Sequence, residues 1–190
     1  MTLMMLTGPA EEPVTLGEAR AHLRLDATDE DALLGVLVTA ARTALEAVTR
    51  RAFVTQDWRL LLDDWPAHAI SLPLAPVQAV TAVTVAGLDE TVTLDEEFYE
   101  VDAGGEPPRI AAMRGQAWPL PATMMAGIAI EFTAGYGPAA SVPAPLKQAV
   151  LLLAAHWFEH RDPLMANGTE GVDLPLTVAA LIAPYRRLHL

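Results

Sequence analysis

The spacing of apolar residues changes period twice along this 190-residue chain, and that double switch limits the fold more than any other feature. Early in the chain, Leu34, Leu37, Val38, Ala41, Leu45 and Val48 recur at three- and four-residue steps, which line up on one face of a helix. Between 56 and 136 the pattern shortens. Proline, glycine and aspartate there divide short segments rich in valine, threonine and aromatic residues, as expected for strands joined by turns. After 144 the helical period returns. The order helix, strand, helix predicts an α+β chain: a helical bundle with a small antiparallel β lobe inserted at 56–136. At this length it reads as one domain, 1–190, rather than two large ones.

Local signals place the elements. Thr15 and Glu18 have the spacing of a capping box, so a first helix is expected over 16–25. Thr28, Asp29, Glu30 and Asp31 supply a cap and first-turn negative charge for a longer second helix ending near Arg50. Strands are expected at 58–62, 77–85, 91–94, 98–101, 109–113 and 128–132. The last is the clearest, because Ile128, Ile130 and Phe132 alternate with Ala129 and Glu131. The 102–108 stretch reads as a hairpin connection, with glycine supplying positive φ. Val142-Pro143-Ala144-Pro145 starts a third helix over 144–160, where proline in the first turn forfeits no hydrogen bond. That helix is apolar on almost every side through 149–158, so it needs protein around it, from its own chain or from neighbours. A short amphipathic piece at 176–183 stops at Pro184 and leaves a tail; 174–190 is the candidate docking segment.

Charge narrows the function. The 24 acidic and 12 basic residues give a net charge of −12, with 17 acids and 6 bases in the first hundred residues. The chain has one lysine and no basic stripe to neutralise phosphates, so affinity for nucleic acid is not expected, although an acidic surface can face DNA without holding it. Zero cysteines excludes disulfides and thiolate zinc sites. The apolar run 149–158 is about half of the ~20 residues that cross a bilayer, and 1–6 lacks the basic start of a signal peptide. No membrane partner and no export are expected, with synthesis in the cytoplasm.

No complete catalytic or cofactor site is legible. His156-Trp157-Phe158-Glu159-His160 matches the H-x-x-E-H spacing of certain zinc peptidases, and two histidines four apart share a helix face. A third ligand would have to come from Glu170 or Asp173, and a helix-end structural role fits better. Asp63-Asp64 and Glu96-Glu97 read as solvated surface, since neighbours on a strand point to opposite faces. The rival readings are a small zinc hydrolase on His156, Glu159 and His160, and a generic protein-binding module. Tyr185, Arg186, Arg187 and Leu188 combine residue types enriched at protein interfaces, and with Trp157 they are the candidate partner-binding residues.

Four stretches, in order, carry a family likeness: Leu16-Gly-Glu-Ala-Arg-Ala-His-Leu-Arg-Leu25, Phe132-Thr-Ala-Gly-Tyr-Gly137, Val142-Pro-Ala-Pro-Leu-Lys-Gln-Ala149 and Ala155-His-Trp-Phe-Glu-His160. Over about 14–185 the chain resembles the head-tail connector, or adaptor, proteins of tailed phages and of phage-derived gene transfer agents. The resemblance implies a non-enzymatic virion subunit without cofactor or metal. It implies a ring, usually of twelve copies, at the head-tail junction beneath the portal protein, extending the DNA channel toward a stopper or tail-side protein.

Overall fold

The computed structural model describes residues 1–160 and 174–186. The chain divides into two compact units, one of Met1–Ala10 with Thr55–Tyr136, the other of Glu11–Val54 with Gly137–Leu190. The first is all β. The second is helical, so the chain is α+β with antiparallel sheets.

The helical unit contains α1 (Leu16–Leu23), α2 (Asp31–Thr49), α3 (Ala144–Glu159) and α4 (Leu176–Ile182), the last followed by a 3-10 turn, Ala183–Tyr185. The capping box forms as its spacing predicts. Thr15 Oγ1 accepts from the Glu18 amide at 3.1 Å while the Thr15 amide donates to Glu18 Oε2 at 2.6 Å. The Thr15 amide, together with the Thr15 hydroxyl that donates to the same oxygen at 2.8 Å, holds the Glu18 carboxyl below its ordinary pKa. The helix then stops at Leu23, two residues early, because Arg24 turns left-handed with φ 57°.

The expected cap on α2 does not form: its N-cap is Glu30, whose side chain makes no capping bond. Asp31 instead lies 3.6 Å from Arg20 of α1. One face of α2 buries Leu34, Val38, Ala41 and Leu45, and α3 meets it with Leu146, Ala149, Val150, Leu153 and Ala154. Val178 and Ile182 of α4 are buried as well, and α4 packs on α3. On the rest of α3, Leu151, Leu152, Trp157 and Phe158 are half-buried, so the expected all-round covering is partial among the described residues.

By length and composition α2 would also cross a bilayer, with a mean hydropathy of 1.5 over its most apolar window. Its interior charges argue for a helix packed on protein. Arg42 is buried and gives Nε to Glu12 at 2.8 Å and Nη1 to Glu46 at 2.7 Å. Glu46 also accepts from the Phe53 amide at 2.7 Å, and Thr39 donates to Glu12 at 2.8 Å. Burial works against the Arg42 charge, and the two carboxylates outweigh it, so its pKa is raised. Next door, Glu11 accepts from the Ala139 amide at 2.7 Å. The segment before α1 is thereby fastened to both halves of the helical unit.

The β unit has a five-stranded antiparallel sheet built from β1 (Thr2–Thr7), β2 (Gln56–Leu62), β4 (Val77–Ala86), β5 (Thr91–Thr93) and β8 (Ile128–Ala134), in the order β1-β2-β8-β4-β5. A smaller sheet orders β3 (Ile70–Ser71), β7 (Arg109–Ala112) and β6 (Tyr99–Asp102) as β3-β7-β6. Alternation sets the faces. Leu60, Leu62, Val83, Val85, Ile128, Ile130 and Phe132 are buried, while the cross-strand pair Arg59 and Glu131 forms a 2.6 Å salt bridge on the other side.

Six of these strands fall where the sequence puts them; β1 and β3 do not. In β1 every residue except Leu3 is exposed, so no inward set of side chains imposes a period of two. The 102–108 hairpin also forms, for a different reason than expected. Gly105 does not have positive φ; a Cβ there would lie 2.6 Å from Asp102 Oδ2 and 2.9 Å from the Pro107 carbonyl. Space demands that glycine, and the Arg109 to Asp102 bond of 2.6 Å closes the hairpin and lowers the Asp102 pKa.

Candidate functional site

The C-terminal segment is anchored from below. Val178 and Ile182 fasten α4 into the helical core, and Arg51 Nε, just past the end of α2, donates to the Tyr185 carbonyl at 2.8 Å. Tyr185 is half-buried and Arg186 exposed, while Arg187 and Leu188 lie outside the described residues. Trp157 is half-buried near the end of α3. Among the described residues no hydrogen bond or ring contact joins Trp157 to Tyr185 or Arg186. They share the helical unit without forming one constellation.

The histidine pair sits on the last turn of α3 with ring centroids 4.6 Å apart, and His160 Nδ1 lies 2.9 Å from the His156 carbonyl. That contact gives His160 a role in closing the helix end. Among the described residues no three of His, Asp and Glu converge to hold a metal, and Glu170 and Asp173 lie outside them. The paired carboxylates serve the backbone: Asp63 accepts from the Ala126 amide and Asp64 from the Trp65 amide, each at 2.8 Å. Glu96 and Glu97 lie in a 3-10 turn, not on the strand that their reading assumed.

Two surfaces carry no periodic signal in the sequence. One is the outward side of α2, where Ala32, Leu33, Val36, Thr39, Ala40, Thr43 and Ala47 are exposed and none is charged. With Leu16 of α1, part of this side forms an open groove of about 560 Å³. The other is the 113–127 connection between β7 and β8, which carries no regular element and no charge from 115 to 127. It is nevertheless firmly tied. Trp65 and Trp118 stack with centroids 4.1 Å apart and planes within 5°, and Trp65 Nε1 donates to the Pro119 carbonyl at 2.7 Å. The Ala122 amide donates to the Ala86 carbonyl at 2.7 Å. The signal for both was a lack of charge in an acidic chain, which periodicity does not register.

The sequence pattern of the family described as phage gp6-like head-tail connector protein matches residues 13–91. No curated protein sequence matches the chain. Among solved structures, a chain from the virion of a native gene transfer agent particle is 29% identical with a TM-score of 0.82. A chain from the neck of an empty particle of this kind, computed with C6 symmetry, is 31% identical at 0.80. One from the neck of a native particle, computed with C12 symmetry, is 29% identical at 0.77. Each comparison covers 100% of this chain and 97% of the other. The chain belongs to the phage gp6-like head-tail connector family, and it is a structural connector subunit rather than an enzyme.

Proposed function

We propose that this protein forms a closed ring, of twelve copies, in the neck of a phage-like particle. There it docks on the portal protein on the head side and receives a stopper or tail-side protein on the other. The observation that carries this reading is the end-to-end likeness to neck subunits in structures computed with C6 and C12 symmetry. A subunit of a continuous channel needs no catalytic group, and its net charge of −12 lets DNA slide by without sticking. We read the four helices as one bundle carrying 56–136 as an inserted lobe within a single connector domain.

The segment 174–190, with Tyr185, Arg186, Arg187 and Leu188, is the portal-docking element, and Trp157 belongs to the same partner surface. Arg51 fixes the Tyr185 carbonyl, so the segment leaves the helical unit from a defined point. Truncation after Tyr185 preserves that bond and removes the arginines. The truncated protein is expected to stay folded, with unchanged melting, and to be missing from purified heads, leaving heads and tails unjoined. Image reconstruction of wild-type particles should show one ring of this chain at the junction. Wild-type yield from the truncation would remove the docking role, and density for the chain only in the shell or tail tube would remove the connector assignment.

A further inference from the structure

A cyclic ring joins each copy to the next through two different surfaces, because a head-to-tail contact repeats around the axis. In a chain of net charge −12, copies repel wherever acidic surfaces meet, so stable contacts belong where charge is absent. Among the described residues, two surfaces without charge are the 115–127 part of the loop and the outward side of α2, one projecting and one concave.

The loop presents Leu120, Met124 and Met125 at 84%, 93% and 81% exposure, far beyond what its own unit requires. An unstructured connection of this length is uncommon unless it has a task. Its ties hold the side chains out before any partner arrives. The stacked Trp65 and Trp118 brace one limb; Asp63, bonded to the Ala126 amide, braces the other. A Cβ on Gly127 would lie 2.6 Å from Pro121 Cβ, so the base of the loop is closed tightly. Binding such a loop orders little that was free, which is what preorganised contacts gain.

The groove complements it. Leu16, Ala32, Gly35, Val36 and Ala40 form an apolar floor, and Val36 is 66% exposed. The polar groups at its edge are already engaged, Asp31 with Arg20 and Thr39 with Glu12. A volume of about 560 Å³ suits flexible, unbranched side chains such as methionine, which adapt to irregular apolar space.

We infer that the 113–127 loop of one copy seats in the α1–α2 groove of the next, with Leu120, Met124 and Met125 covering Leu16, Gly35 and Val36. This rests on the ring reading above. The chain has no cysteine, so introduced pairs report without background. In oxidised particles a chain carrying both Val36→Cys and Met124→Cys should give a ladder of multimers up to the closed ring. Each single variant should remain monomeric, and co-expressed single variants should stop at dimers. Double-variant chains that occupy the neck normally and stay monomeric would overturn the contact while leaving the ring intact; a neck without this chain would overturn the ring itself. If the double variant does not assemble, the co-expressed singles decide: dimers support the contact, and assembled monomers sink it. Independently, Met124→Glu with Met125→Glu should lower incorporation by about tenfold or more without changing the melting of the free subunit. Normal incorporation of that variant would also overturn the proposal.

Discussion

Arg42 shows how far one side chain departs from what its neighbours in sequence suggest. It occupies a helix whose other described interior positions are apolar or small, apart from Glu46 and the threonines, and it is buried between two carboxylates. Its partner Glu12 lies 30 residues earlier, so no local spacing marks the pair. Replacing Arg42 by alanine removes the guanidinium that Glu12 and Glu46 share in a largely buried setting. Breaking such a pair costs about 3 kcal/mol at the lower end, and Glu12's partial exposure favours that end. Urea unfolding of Arg42→Ala should show that loss, whereas Glu46→Gln, which keeps an acceptor for the Phe53 amide, should lose less; equal losses would point to packing rather than charge. Residues like these were illegible for a physical reason. So were the left-handed Arg24 and Arg50, because nothing about arginine announces a conformation that glycine usually takes.

Among the elements, α2 combines two demands that pull apart. Gly35 lies within the helix, where glycine costs about 1 kcal/mol relative to alanine, yet a Cβ there would meet only Leu16 Cδ2 at an ordinary 3.6 Å. Gly35→Ala is therefore expected to raise stability by up to about 1 kcal/mol and, by narrowing the groove, to reduce ring assembly. A variant that is more stable and assembles fully would show the glycine is unrelated to the contact. Elements of this kind were the most legible part of the chain. The long amphipathic stripe of α2 and the alternation in β8 each follow from one buried face, and both appear within a few residues of their expected limits. The edge strand β1 has no buried face to advertise it. The 113–127 loop is legible as irregular, but its rigidity comes from Trp65 and Asp63, some fifty or more residues away.

Over the whole molecule, net charge bears on the proposed passage of DNA through the ring. With 12 basic residues against 24 acidic ones, the purified protein is expected to show no measurable duplex binding at physiological salt, by a gel-shift or anisotropy measurement. Salt-sensitive binding near micromolar concentration would contradict a channel past which DNA slips. The division into two units, each assembled from separated stretches of chain, also bears on biosynthesis. Once residue 136 has left the ribosome, every strand of the β unit is present. The helical unit is different, because α3 begins 95 residues after α2 ends. At ~5–20 residues per second the ribosome takes about 5–20 s to make that intervening chain. For that time the apolar stripe of α2 has no α3 to cover it, and the nascent chain is a natural client for chaperones that shield apolar helices.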